Sequence, residues 1–226
     1  MLDTEVELQG YDKEQIDMMD ENCIIVDNED NIIGKDTKVN CHLGDGKLHR
    51  AFSVLLFNSE DRLLIQKRAS EKITFPSIWA NSCCSHPLYS DGEEDGIIGA
   101  KKAAKRKLSQ ELGINSEAIE LSDLQYITKM HYRSRADKKW IEHEIDYIFV
   151  IRCDVEVNPN PNEIEQTKYV EQNELQLLFD AADNDSLKIG PWFRLINENF
   201  LSDIWDSLSN LNKITDDKLH YMGDCE

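Results

Sequence analysis

The sequence predicts a mixed-sheet α/β fold of the α+β type, a sandwich in which strands surround one central helix and more helices follow toward the C-terminus. Three observations predict it. Segments of strand character lie on both sides of one long segment of helical period at residues 96–112, and helical character returns after residue 171. Helices and strands do not alternate regularly, as a parallel doubly wound sheet would require. At 226 residues the chain is long for one compact domain and short for two, so it reads as one domain over 1–226, with a core at about 23–172 and a C-terminal helical part at about 173–226.

"CIIVDNEDNIIG" reads as two short strands around an Asn/Glu/Asp turn. "HRAFSVLLF" and "RLLIQK" form a hairpin joined by "NSED". Residues 74–95 hold two prolines and many small polar side chains, the signature of a long loop, which in a compact domain is usually functional or disordered. In 96–112, apolar residues at 97, 100, 104 and 108 set a helical period that Gly113 ends as a C-cap. Residues 124–132 and 144–153 read as strands. In the second, "EIDYIFVIRC" passes from alternation to a continuous apolar run, as a central strand does. "NPNPN" breaks the pattern, 168–170 form a short edge strand, and 171–182 a helix. Pro191, at a first helical position, opens a longer helix through "PWFRLINENFLSDIWDSLSNL".

With 40% hydrophobic and 31% charged residues, the composition is that of a soluble globular protein. No apolar run approaches the roughly 20 residues of a membrane span, so no membrane partner is expected. The acidic, polar N-terminus has neither secretory-signal nor transit-peptide character, and a cytoplasmic location and a monomer are expected. A formal charge of −19 argues against a nucleic-acid partner, which needs a net basic face. Basic residues gather at Lys67-Arg68 and in "KKAAKRK" at 101–107. The second run suits the solvated face of a helix, but a local positive pocket in an acidic protein would attract a phosphorylated metabolite. The six cysteines (23, 41, 83, 84, 153 and 225) read as free thiols of a reducing compartment. Cys83 and Cys84 cannot readily bridge each other: adjacent Cα atoms lie about 3.8 Å apart, below the usual disulfide range of roughly 4.4–6.8 Å.

"NCHLGDGKLHR" places His42 and His49 on either side of a Gly-rich turn, and His86 follows the cysteine pair in "CCSHP". In "WIEHEIDY", Glu142 and Glu144 are two apart, so on a strand they share a face while His143 points away. Two close carboxylates repel unless a cation lies between them. Three histidines and two glutamates make a coherent set for a divalent ion, Mn²⁺, Zn²⁺ or Mg²⁺, and the nitrogen content disfavours a pure Mg²⁺ site.

"GEEDGIIGAKKAAKRKLSQELGI" resembles the Nudix box, G-x₅-E-x₇-R-E-U-x-E-E-x-G-U with U a large apolar residue. Gly92, Arg106, Leu108, Glu111, Gly113 and Ile114 match, whereas Ile98, Lys107 and Gln110 stand where a pyrophosphate hydrolase needs metal-binding carboxylates. The chain therefore resembles a Nudix scaffold, an α/β/α sandwich with added terminal elements, that holds a diphosphate rather than cutting it. "TKVNCHL", "LHRAFSVLLFN", "LLIQKR", "TFP", "NSCCSHPL", "ELGI", "HEIDY", "NPNPNE" and "PWF" then follow one another in the order found in the type I isopentenyl diphosphate isomerases. The ordered set spans residues 38–193 and is similar to that family over most of the chain.

The resemblance implies a 1,3-allylic proton shift between isopentenyl and dimethylallyl diphosphate, a step that supplies isoprenoid biosynthesis. Protonating an unactivated alkene and deprotonating the tertiary cation needs an acid and a base on opposite sides of a water-excluded pocket. By likeness, Cys84 and Glu144 are that pair, with Tyr132 hydrogen-bonded near the glutamate and Trp192 facing the carbocation. Cys83 is then packing. The implied metal ligands are His42, His49, His86, Glu142 and Glu144. The diphosphate would fall to Lys38, Arg68, Lys72 and Ser85, with Lys107 a further candidate, and a Mg²⁺ would bridge it to Glu111. The rivals are a Nudix hydrolase of a nucleoside or sugar diphosphate, against which the three lost carboxylates speak, and an inactive Nudix-fold binding protein.

Overall fold

The structure is a computed structural model that describes residues 8–90 and 92–225; the outermost ends of the predicted domain, residues 1–7 and 226, lie outside the described residues. The chain opens with helix α1 (Lys13–Met19), whose first turn is capped by the Asp12 carboxylate accepting from the Glu14 and Gln15 backbone N–H groups. Strands β1 (Asn22–Val26) and β2 (Ile32–Thr37) form the first hairpin. A five-residue helix, α2 (Lys38–His42), follows; the sequence pattern did not mark it. Strand β3 (His49–Phe57) is buried along its whole length, as its apolar run demands. It meets β4 (Leu63–Arg68) only at Phe57 and Leu63, so the predicted hairpin splays and β4 pairs instead with β5 (Trp79–Ala80) and β9 (Ile164–Val170).

The predicted loop at 74–95 is not structureless. It holds β5 and β6 (Cys83–Ser85), and β6 is laid antiparallel on β3 with Ser53 opposite Cys84. Helix α3 (Gly96–Leu112) has the predicted bounds and ends at Gly113 in the left-handed conformation, φ 64°. Any Cβ there would lie 2.2 Å from the Asn158 carbonyl oxygen, so both backbone angle and space require glycine. Strands β7 (Gln125–Arg135) and β8 (Ile141–Arg152) are longer than predicted and form an extended antiparallel pair. Helix α4 (Gln172–Asp183) opens on a capping box of Glu171 and Glu174. The helix begun by Pro191 is interrupted: α5 (Pro191–Ile196) passes through a π turn at Asn197–Leu201 into α6 (Ser202–Asp206). The C-terminal part is not wholly helical either, because β10 (Leu219–Cys225) adds to the sheet.

The sheet runs β10-β7-β8-β3-β1-β2 and is mixed, with β3–β8 and β10–β7 parallel and the other pairs antiparallel. Strand alternation divides the core between two faces. Phe52, Val54 and Leu56 of β3, with Ile145, Tyr147 and Phe149 of β8, pack against Ala100, Ala104 and Leu108 of α3. Leu55 and Phe57, with Ile148 and Val150, pack against Phe179 of α4 and Phe193 and Ile196 of α5. Helices thus cover both faces, the predicted α/β/α sandwich. No helix of the described residues is long and apolar enough to cross a membrane.

Candidate active site

Alternation also sorts the side chains that carry chemistry. Glu142, Glu144 and Asp146 share the face of β8 that continues into Ile148 and Val150, and His143 turns away to stack on His131, their Nε2 atoms 3.0 Å apart. In β6 the two adjacent thiols part: Cys83 enters the α3 side of the core and Cys84 the opposite side. One pocket collects Lys38, Arg68, Lys72, Cys84, Ser85, His86, Glu111, Tyr132, Glu142, Glu144 and Trp192. Strand β3 runs between Cys84 and Glu144, with β6 and its Cys84 on one edge and β8 and its Glu144 on the other.

His42 from α2, His49 from β3, His86 from the loop after β6 and Glu144 from β8 form a buried group whose ligand atoms lie within 4.8 Å of one another. The first two rings are oriented by the backbone. His42 Nδ1–H donates to the Lys38 carbonyl and His49 Nδ1–H to the Lys47 carbonyl, each at 2.7 Å, so in the neutral ring Nε2 is the nitrogen that carries the lone pair. His42 Nε2, His49 Nε2 and His86 Nδ1 are buried without a hydrogen-bond partner. Buried polar atoms are rarely left so; the two Nε2 atoms, with His86 turning its own Nε2 to Glu144 Oε1 at 2.8 Å, fit a divalent ion.

Burial drives His42 well below its ordinary value and His86 down to about 3; at His49 burial acts the same way, but the neighbouring Glu144 outweighs it and lifts the group to about 9. Burial opposes ionisation of Glu144 too, yet His49 and His86 hold it well below the usual carboxylate range. An ionised carboxylate at this depth requires a positive charge beside it.

Glu142 stands next to this group rather than within it. The Tyr132 hydroxyl lies 2.6 Å from Glu144 Oε2 and 2.9 Å from Glu142 Oε2 and ties the two carboxyls together. Burial and then the Glu144 charge push Glu142 up to about 8, which favours its protonated form. Cys84 Sγ lies 3.7 Å from Arg68 Nη1; burial raises the thiol well above its ordinary value, and the guanidinium opposes that rise.

Arg68 is buried, donates to the carbonyls of Phe75 and Thr74, and sits 5.5 Å over the Trp192 ring. Among the described residues neither Arg68 nor Lys38 has a carboxylate within salt-bridge distance, whereas Lys72 pairs with Glu163 at 2.8 Å. Lys107 does not line the pocket. It lies 3.0 Å from Glu111 on the next turn of α3, a cation where the Nudix box has a carboxylate. Glu111 does face the pocket, and Cys83 Sγ lies 3.6 Å from its Oε2.

The sequence reading missed several pocket residues. Asp146 continues the alternation of Glu142 and Glu144, a signal that could have found it; its Oδ2 accepts from Ser53 at 2.8 Å and its Oδ1 is buried without a partner. Gln15 and Met19 bring α1 to the pocket, and the Asp12-x-x-Gln15 spacing of an N-cap signals that helix. Nothing local marks Asn81, which lies outside the pocket lining and two of whose partners, Val54 and Trp192, are remote in sequence.

The NUDIX domain family model matches residues 47–193. "Isopentenyl-diphosphate Delta-isomerase 1" of Mus musculus is 45% identical over 225 residues, covering 96% of this chain and 99% of its own. An isopentenyl-diphosphate delta-isomerase of Aspergillus fumigatus is 47% identical over 231 residues, covering 94% of this chain and 82% of its own. A chloroplastic isopentenyl-diphosphate delta-isomerase of Arabidopsis thaliana is 46% identical over 198 residues, covering 84% and 68%. Among solved structures, a Deinococcus radiodurans protein superposes with a TM-score of 0.58 at 16% identity, covering 80% of this chain and 99% of its own, a likeness of fold alone.

Proposed function

The chain belongs to the Nudix family and, within it, to the isopentenyl-diphosphate delta-isomerases, and we propose that Cys84 and Glu144 carry its reaction from opposite sides of one pocket. The enzyme interconverts isopentenyl and dimethylallyl diphosphate. In the forward direction a C–H bond forms at the terminal alkene carbon, the π electrons leave a tertiary cation, and a C–H bond breaks at the carbon next to the one bearing the diphosphate. One protein group gives a proton and another takes one, and the two exchange parts in the reverse direction. The observation that supports this reading is the convergence on one pocket of a thiol and a carboxylate placed on either edge of β3. Tyr132, donating toward Glu144, orients that carboxylate. The Trp192 ring would face the cation, an interaction worth roughly 0.5–2 kcal/mol.

His42, His49, His86 and Glu144 would hold a divalent ion, with Glu142 beside them; among Mn²⁺, Zn²⁺ and Mg²⁺, three nitrogens and an oxygen suit the first two better. Glu111, one carboxylate facing the pocket, would share a Mg²⁺ with the diphosphate oxygens. When bound, these ions supply fixed positive charge beside Glu144 and the diphosphate. Arg68, Lys38 and Lys72 grip the diphosphate, the first two offering charge that no carboxylate of the described residues neutralises. Ser85 lines the same pocket. The chain is taken as one Nudix-fold unit, since Trp192 of the C-terminal part and Gln15 and Met19 of α1 line a pocket otherwise built by the core. It is also taken as a monomer of a reducing, cytoplasmic setting, in keeping with six free cysteines among the described residues.

Lys38→Ala tests the grip apart from the chemistry, because the His42 ring leans on the Lys38 backbone carbonyl and not on its side chain. A charged hydrogen bond is worth about 1.5–3 kcal/mol, so KM for isopentenyl diphosphate should rise about tenfold or more with kcat within a few-fold. An unchanged KM would remove Lys38 from the diphosphate site.

A further inference from the structure

We propose that Asn81 is a positioning residue that sets the Trp192 ring against the strand bearing Cys84. The inference rests on the reading of Trp192 as the ring that faces the cation. Asn81 is fully buried between β5 and β6. Its Oδ1 accepts from Trp192 Nε1 at 2.9 Å, and its Nδ2 donates to the carbonyls of Cys83 at 2.9 Å and Val54 at 3.1 Å. Val54 and Cys83 face each other in the β3–β6 ladder, one residue before Cys84. A single side-chain amide therefore joins the indole to the backbone that aims the thiol, with one acceptor and two donors all engaged inside the protein. Asn81 is not among the pocket-lining residues, so it acts through its partners.

The other contacts of the ring leave that task to Asn81. Phe75 meets it edge-on at 5.4 Å, and Arg68 lies over it at 5.5 Å. Gly190 closes against it so tightly that a Cβ would lie 2.8 Å from a ring carbon. These contacts hold the ring in its slot by shape; the hydrogen bond to Asn81 fixes which edge is turned inward and ties it to β6. Misplacing a reacting geometry by about 1 Å can cost roughly 10²-fold in rate, so losing this tie should register in kcat. The diphosphate grip lies elsewhere and KM should not follow.

The test is a double-mutant cycle read by kinetics and by indole N–H resonances. Asn81→Ala should lower kcat about tenfold or more with KM within about twofold. In the ¹⁵N-labelled protein, which has four tryptophans, the indole signal that disappears in Trp192→Phe should shift and exchange faster in Asn81→Ala while the other three stay in place. In a Trp192→Phe background, which keeps an aromatic face but has no N–H to position, Asn81→Ala should cost no more than about threefold further. Equal losses in both backgrounds, or a Trp192 signal that does not move, would overturn the positioning role. Trp192→Leu at unchanged kcat would instead overturn the cation reading, whatever Asn81 does. If Asn81→Ala does not fold, Asn81→Ser, which leaves one hydroxyl donor for the ladder carbonyls, replaces it in the cycle with the same expected and overturning results.

Discussion

Cys84→Ala is expected to lower kcat by roughly 10²–10⁴-fold, the usual contribution of a positioned proton-transfer group, while KM and thermal stability change little. The thiol meets the pocket and Arg68, and its removal leaves the ladder between β6 and β3 intact, so lost activity cannot be traced to lost structure. Cys83→Ala is the internal control. That side chain lies in the core behind α3, so a stability cost of about 1 kcal/mol for a small cavity is expected, with activity per folded molecule retained. Glu144→Gln should be as damaging as Cys84→Ala, since an amide can neither accept the proton nor pair with the imidazoles. Tyr132→Phe should be milder, because it removes a hydrogen bond to Glu144 and leaves the carboxylate. If Cys84→Ala keeps near-normal turnover, the thiol is not one of the two proton-transfer groups.

The second large effect concerns the buried histidines. His42 makes its other hydrogen bond to a backbone carbonyl and offers a single unpartnered nitrogen to the cluster. Outer-sphere partners of metal ligands typically cost 10–100-fold in affinity when removed, so His42→Ala, which deletes one of the proposed ligands outright, should weaken metal binding by at least about 100-fold. Metal analysis of the purified variant should show the tightly bound ion missing, and isomerase activity should fall with it. Chelation of the unaltered enzyme should lower its melting temperature as well, because an ion bound only by the folded state stabilises that state. Full metal content in His42→Ala would place this histidine outside the coordination sphere.

Much of this was legible in the sequence because it is local. The period of residues 96–112 and the glycine after it gave a helix with the observed bounds, and Glu142 and Glu144 lie on one face because strand side chains alternate. The adjacency of His42, His49 and His86 could be proposed from residue type, since all three are histidines near turns. What remained hidden depends on pairing between distant segments. Three residues of β6, set in a proline-containing loop, carry too little pattern to show that they extend the sheet beside β3. Helix α2 is shorter than any periodic signal, and β10 becomes a strand by lying parallel to β7, a segment far from it in the chain. The same limit explains Glu142. Its face was readable, but its place beside the four-residue cluster, tied to Glu144 through Tyr132, follows from where β3, β7 and β8 bring their side chains. Lys107 is the converse case. The box alignment marked it as a lost carboxylate, and the structure shows the physical consequence: an ammonium ion 3.0 Å from the surviving Glu111, where a hydrolase would gather metals.

This scaffold moves a proton within an intact diphosphate ester. The most direct test is to incubate the purified protein and a divalent metal with isopentenyl diphosphate, following products by ¹H and ³¹P NMR. Dimethylallyl diphosphate should accumulate to a fixed ratio with its precursor, and the same ratio should be reached from either side. No inorganic phosphate or monophosphate ester should appear. Release of phosphate without the allylic isomer would contradict the claim.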